Sequence, residues 1–256
     1  MLLAVDIGNT ATKLAIFQDG KIKNRSIIPT LKGKTPEELY ETLTQENLLF
    51  SDVIICSVVP EVDQTFRTLF TSFFGKEPIF IDHKIVLDIS INYNPPESLG
   101  TDRLVNAVAA SRIYGVPCII CDFGTATTID VLSSKNEFLG GVIIPGINTL
   151  SDALSIKTSK LPKVEIKKPP KLFGNTTIEC IQAGIFFGYV GLIEKILLNI
   201  KSELKEHPKI IATGGWARLI SEELNIFDEY NENLTLEGLQ ILFNQIKRSD
   251  PSITES

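Results

Sequence analysis

The sequence predicts an α/β protein of two duplicated lobes, each running βββαβα, with a cleft between them. Two stretches carry this. Near the start, the apolar run Leu2-Leu3-Ala4-Val5 ends in Asp6-Ile7-Gly8-Asn9-Thr10 and continues as Thr12-Lys13-Leu14-Ala15-Ile16-Phe17. In mid-chain, Cys118-Ile119-Ile120-Cys121 ends in Asp122-Phe123-Gly124-Thr125-Ala126 and continues as Thr127-Thr128-Ile129-Asp130-Val131-Leu132. Each reads as a buried strand, a tight turn and a returning strand. Strand and helix signals follow both copies in a similar order, which sets the lobes at residues 1–112 and 113–256.

In the first lobe, Gln18-Asp19-Gly20-Lys21 is a hairpin turn, and Lys21 to Ile28 alternates as a third strand. Thr35-Pro36-Glu37-Glu38-Leu39 starts a helix: a capping hydroxyl, a proline without the unneeded N–H, then acids at the positive end of the dipole. Asp52 to Val59 is a buried strand ended by Pro60, Gln64 to Phe74 a helix, and Pro78 to Asp82 a short strand. A polar loop, Asn92 to Arg103, leads into the helix Leu104 to Ala110, which Thr101 or Asp102 would cap. In the second lobe, Ser133 to Glu137 is a turn and Phe138 to Ile144 a third strand. Asn148 to Lys157 reads as a helix, Leu161 to Phe173 as a Lys/Pro-rich loop, and Thr177 to Lys205 as a long helix. Lys209 to Gly215 is a strand ending in a glycine pair, and Leu236 to Lys247 a last helix.

The chain has 256 residues, 43% hydrophobic and 22% charged, enough to bury one or two cores. A net charge of −6 without a dense basic run predicts no nucleic-acid partner. Anion binding must therefore come from local geometry and cations. The acid at position 6 follows the start too closely for a signal peptide, and the Cys180 to Ile193 apolar run is too short to span a bilayer. The reading is a cytoplasmic protein with no membrane partner. Cys118 and Cys121 lie three apart on a strand and so point to opposite faces, which argues for buried apolar thiols over a zinc or redox pair.

The two Asp-x-Gly-(Asn/Thr) turns are the chemical signal. Glycine lets the backbone approach a ligand closely, and successive N–H groups with Asn or Thr donors form an anion nest. An Asp in such a turn repels phosphate unless a cation lies between. Asp6, Gly8, Asn9, Thr10 and Lys13 form one candidate phosphate site; Asp122, Gly124, Thr125 and Thr127 form its repeat. The alternative for either turn is an Asp satisfying its own backbone. Asp102 at a helix start is either a general base or an N-cap, and Arg103 either a structural ion pair or a substrate clamp. The histidines, His83 and His207, are poor material for a Ser-His-Asp set, and no Walker A pattern occurs.

Duplicated lobes with Asp-Gly turns resemble the actin-like (ribonuclease H-like) superfold of acetate and sugar kinases. More closely, Asp6 to Thr10, Gly100-Thr101-Asp102-Arg103, Asp122 to Ala126, Gly140-Gly141-x3-Pro145-Gly146 and Leu234-Thr235-Leu236-x-Gly238-Leu239 are similar to type III pantothenate kinases. The resemblance runs from Asp6 to about Gly238. It implies phosphorylation of pantothenate by ATP, the first step towards coenzyme A, in a homodimer. It implies ATP binding by Asp6, Ile7, Gly8, Asn9, Thr10, Ala11, Thr12, Lys13 and Thr125, with Mg²⁺ held through the phosphates at Asp6. Asp122 would hold a monovalent cation, K⁺ or NH₄⁺. Tyr93, Gly100, Thr101, Asp102 and Arg103 would bind pantothenate, Thr177 would reach it across the dimer interface, and Asp102 would take the hydroxyl proton. Gly184, Gly188 and Gly191 mark either the dimer-forming helix or plain core packing. The chain departs from the family's Arg-Thr-Ala-x-Leu-Pro at Lys157 and Ser159, neither of which is in the implied site. Two rival readings are a non-catalytic regulator and another actin-fold phosphotransferase or polyphosphate hydrolase; the intact Asp6, Asp102, Arg103 and Asp122 count against the first, and Tyr93 with Gly100 to Arg103 against the second.

Overall fold

The computed structural model describes residues 1–46, 48–85 and 88–249. The chain forms two compact units, Met1–Ile113 with the segment from Asn233 onward, and Tyr114–Glu232.

In the first unit, β1 (Leu2–Ile7), β2 (Ala11–Gln18) and β3 (Lys21–Pro29) form an antiparallel meander, as the two turn signals require. Then come α1 (Pro36–Thr44), β4 (Asp52–Ser57), α2 (Pro60–Thr68), β5 (Ile79–Phe80), β6 (Ser90–Ile91) and α3 (Thr101–Tyr114). Sheet order is β3-β2-β1-β4-β5, with β4 and β5 parallel to β1. The capping box of α1 is complete: Glu38 N–H donates to Thr35 Oγ1 at 3.4 Å and Thr35 N–H to Glu38 Oε2 at 3.0 Å. Such a cap contributes about 1 kcal/mol. The second helix starts earlier than its apolar period suggests, because Pro60 both ends the strand and opens α2. Its far end continues to Phe73 as a wider π-helical turn. One face of the sheet (Leu3, Val5, Ile7, Leu14, Ile16, Val53, Ile55) packs with Leu39, Leu43, Val62, Phe66 and Phe70.

The second unit repeats the plan. β7 (Cys118–Phe123), β8 (Ala126–Leu132) and β9 (Glu137–Pro145) form the meander, followed by α4 (Ile147–Lys157), α5 (Thr177–Leu204), β10 (Lys209–Thr213), α6 (Ala217–Glu223) and β11 (Glu229–Tyr230). Their order is β9-β8-β7-β10-β11, strand for strand that of the first unit. The 28-residue α5 is by length and composition able to cross a membrane, although its apolar run is shorter. Its inner face (Ile181, Phe186, Tyr189, Ile193, Leu197) belongs to the core with Ile119, Cys121, Phe123, Ile210 and Ile220. The lysine-rich loop is pinned by Val164 and Ile166 in that core and by Gln182 Nε2 donating to the Glu165 carbonyl at 2.7 Å.

The 112/113 boundary needs one amendment. The last helix, α7 (Leu234–Ser249), groups with the first unit. It packs on β1, β2 and β4, burying Leu236, Leu239, Leu242 and Phe243. Gly238 permits this: a Cβ there would lie 2.6 Å from the Val105 carbonyl of α3. Thr235 also donates to Asn106 Oδ1 at 2.8 Å, both groups being buried.

Cys56, Cys118 and Cys121 are buried free thiols, and Cys180 is exposed. Burial pushes the Cys118 thiol up to about 12. It raises Cys121 well above the ordinary value, and the Asp130 and Asp122 carboxylates add to the effect. Unfolded thiols ionise near ~8.5, so the folded state keeps protons that the unfolded state releases. This stability is intact below that pH and is lost as pH rises. Unfolding free energy should fall by about 1.4 kcal/mol per pH unit for each such thiol. Denaturant titrations under reductant from pH 8 to 10 check it; Cys118→Ala should flatten the slope by one proton, and an unchanged slope refutes it.

Candidate active site

In the first unit the site grows from the ends of β1 and β4. Asp6 pairs in register with Lys13 on β2 and with Cys56 on β4. Its carboxylate is 3.3 Å from Lys13 Nζ and almost buried. Gly8 N–H donates to the Ala11 carbonyl at 3.1 Å, closing a turn in which Asn9 and Thr10 are exposed. Thr30, just beyond β3, holds this turn from behind. Its hydroxyl donates to the Gly8 carbonyl at 2.6 Å, and its N–H to the Thr10 carbonyl at 3.0 Å. Thr12 Oγ1 lies 3.1 Å from the same hydroxyl. The carbonyls that would repel a phosphate are thereby engaged elsewhere. Ile7 is core.

At the start of α3, Asp102 Oδ1 accepts from Arg103 N–H at 2.8 Å. Gly100 makes room, since a Cβ there would lie 2.6 Å from that oxygen. Asp102 is the second residue of α3, inside the helix rather than at its cap; its side chain accepts from the next N–H instead of spanning the first turn, and the residue is only half-buried. Thr101 Oγ1 donates to the Ser57 carbonyl at 2.8 Å, fastening α3 to the end of β4. Arg103 is 5% exposed, donates to Tyr93 Oη at 3.3 Å and lies 5.3 Å from the centre of that ring. The buried guanidinium and the Tyr93 ring thus stand together beside the start of α3.

In the second unit Asp122, next to last in β7, stands opposite Thr128. The following turn, Gly124-Thr125, is one residue tighter than its counterpart: Phe123 pairs with Thr127, whereas Ile7 pairs with Thr12. It is gripped from two sides. Gly146 N–H and Thr149 Oγ1 donate to the Thr125 carbonyl at 3.0 and 2.6 Å. Trp216 N–H reaches the Phe123 carbonyl at 3.4 Å. Gly214, with φ +94, lies so close that a Cβ would meet Asp122 Oδ1 at 2.5 Å and Phe123 N at 2.6 Å. Thr127 is buried against the Tyr189 hydroxyl. Thr177, at the start of α5, lies elsewhere in this unit. It lines a wide opening of about 780 Å³ with Leu154, Leu161, Asn175, Cys180 and Gly184.

Thr30, Cys56, Thr149 and Trp216 were not foreseen. Each acts through a backbone or side-chain partner 20 or more residues away, or through the sheet, and no local pattern announces that. Mg²⁺ is held by one or two carboxylates plus substrate phosphates and water, and a single strand-end carboxylate at Asp6 fits that role. Asp122 offers one carboxylate, held close against the Gly214 backbone, as a single ligand for a cation. Among the described residues there is no cluster of three or more His, Cys, Asp or Glu side chains able to hold a metal alone.

Known structures share this architecture. One is a Campylobacter jejuni protein described as a Baf family transcriptional activator (TM-score 0.59, 18% identity, 96% of this chain and 99% of that one). Another is a Sinorhizobium meliloti protein described as a 2-dehydro-3-deoxygalactonokinase (TM-score 0.61, 11% identity, 96% and 99%). A third is the activator of 2-hydroxyisocaproyl-CoA dehydratase from Clostridium difficile with bound ADPNP (TM-score 0.55, 14% identity, 98% and 97%). At these identities the likeness shows the fold alone: two duplicated lobes of the actin-like ATPase and sugar-kinase type. The family model for type III pantothenate kinases matches residues 2–199, which takes in Asp6, Asp102, Asp122 and Thr177. The repeated Asp-Gly turns, the Gly100 to Arg103 helix start and this match agree, and the chain belongs to the type III pantothenate kinase family.

Proposed function

We propose that this chain transfers the γ-phosphoryl group of ATP to the primary hydroxyl of pantothenate, giving 4′-phosphopantothenate. The observation that supports it most is Asp102: a half-buried carboxylate oriented by Arg103 N–H, beside an Arg103–Tyr93 wall, on a helix fastened to the strand next to Asp6. Asp102 accepts the hydroxyl proton as the phosphoryl group departs, a transfer that needs a base within hydrogen-bond reach. Arg103, with Tyr93, Gly100 and Thr101, positions the acceptor, and Thr177 adds a contact from a neighbouring copy. The Gly8–Ala11 turn binds the phosphates, with buried Thr12 supporting it through Thr30 and Lys13 as a point charge, and Thr125 contacts ATP. Mg²⁺, bound with ATP, spreads the phosphate charge. Asp122 holds K⁺ or NH₄⁺, which reconciles an acidic chain with an anionic substrate.

The homodimer belongs to this reading. Gly184, Gly188 and Gly191 lie on the outer face of α5, where an added Cβ would meet nothing within 4 Å. They are not spacers for packing inside this chain, which favours an interface between copies. A cytoplasmic place without nucleic-acid or membrane partners completes the proposal.

The test is ADP release by purified protein with ATP and Mg²⁺, with and without pantothenate and K⁺, on a sample whose mass is read by light scattering. Turnover dependent on pantothenate and K⁺, in a dimer, is expected. No stimulation by pantothenate in a protein that binds ATP removes the substrate assignment. Indifference to K⁺ and NH₄⁺ removes the role of Asp122, and a monomeric mass removes the interface.

A further inference from the structure

Cys56 has no role in the site so far, yet it sits between the site's two carboxylates. It pairs with Asp6 across the parallel β1–β4 ladder. Its Sγ–H donates to Thr101 Oγ1 at 3.4 Å, and that hydroxyl donates in turn to the Ser57 carbonyl at 2.8 Å. Thr101 immediately precedes Asp102. A relay of two hydrogen bonds therefore joins the strand that neighbours Asp6 to the first turn of the helix that carries Asp102. Cys56 is fully buried, and burial raises its thiol, with Asp6 and Asp102 adding to the shift. It is an S–H at neutral pH, able to donate and bringing no third negative charge between two carboxylates. Ser57 stiffens the same corner, with its hydroxyl on Asp63 and accepting from Val59 N–H at 3.2 Å.

We propose that Cys56 is a positioning residue for phosphoryl transfer: through Thr101 it fixes where Asp102 stands relative to Asp6. The proposal rests on the pantothenate kinase reading. A thiol suits this place better than a hydroxyl. Sulfur is larger and softer, reaches Thr101 at the longer distance observed, and still offers one weak donor. A carboxylate displaced by a fraction of an ångström would still let ATP bind, but would meet the acceptor hydroxyl less often in reacting geometry.

The experiment compares wild type, Cys56→Val, Cys56→Ser, Thr101→Val and the Cys56→Val/Thr101→Val double variant. Pantothenate-dependent kcat and both KM values are measured, together with amide hydrogen exchange over the first turn of α3. Cys56→Val should lower kcat about 10-fold with the KM for ATP within about twofold, as loss of one orienting hydrogen bond allows. Cys56→Ser should fall between Val and wild type, since its shorter C–O bond stretches the contact. The double variant should be no slower than Thr101→Val alone, because both act through one relay. Exchange at the start of α3 should quicken in Cys56→Val and less so in Cys56→Ser. Additive losses, or an unchanged kcat in a folded Cys56→Val, overturn the proposal. If Cys56→Val does not fold, Cys56→Ser decides: quickened exchange and reduced kcat with the KM for ATP unchanged support the relay, and wild-type values overturn it. Should wild type ignore pantothenate, the kinase reading falls, and unchanged exchange in the variants would separately dismiss the relay.

Discussion

Asp102→Asn is expected to lower kcat on the order of 1000-fold while the KM for ATP stays within a few-fold, the loss typical of removing a general base. The amide has the shape of the carboxylate and its oxygen can still accept from Arg103 N–H, so the helix start stays intact. What disappears is the proton acceptor. Steady-state kinetics with ATP and pantothenate, alongside a thermal melt, check this. A turnover within threefold of wild type would strip Asp102 of the base role and leave it an acid in the first turn of α3. Gly100→Ala should mimic part of the defect from outside, because its Cβ would press on Asp102 Oδ1 at 2.6 Å.

Gly214→Ala should damage the second unit in two ways. The residue has φ +94, which a side chain tolerates badly, and its Cβ would overlap Asp122 Oδ1 and the Phe123 backbone. The backbone strain costs about 1–3 kcal/mol and the overpacking a similar amount. A melting temperature lower by roughly 5–15 °C follows for a chain of this size. The clash falls on the Asp122 carboxylate, so the surviving folded protein should need several-fold more K⁺ for half-maximal turnover. Thermal melts and a K⁺ titration read both effects. A variant matching wild type in both would mean that Gly214 does not support Asp122. Gly215→Ala is the control, since an added Cβ there meets nothing within 4 Å.

The duplicated meanders were legible because each strand is a short apolar run and each turn carries its own glycine. The matching strand orders then follow from topology. The short pieces were not legible: β6 and β11 have two residues each and α6 has seven, too few to show a period. Nor was the allegiance of α7. Its apolar stripe announces that it must be covered, but an amphipathic helix does not say which sheet will cover it; the small residue at Gly238, against Val105, settles that only in three dimensions. Asp6, Asp102 and Asp122 stood out through their turns. Their supports, Thr30, Cys56, Thr149 and Gly214, come from strand registers and loop returns. The choice between cap and base for Asp102 was not legible either, because it depends on where the helix begins: α3 starts at Thr101, which puts Asp102 inside the first turn.

The return of α7 to the first unit has a consequence for biosynthesis. Residues 114–232 are continuous, whereas the first sheet lacks its second cover until residues 234–249 have left the ribosome. The unit begun first is thus the last to be completed, against the usual N-terminal-first order. While the second unit is being made, the nascent chain carries a sheet with one apolar face open, the interval in which a chaperone would find it. Arrested chains released at about residue 230 should be protease-sensitive over residues 1–113 and resistant over 114 onward; the reverse pattern would show that the first sheet stands without its final helix.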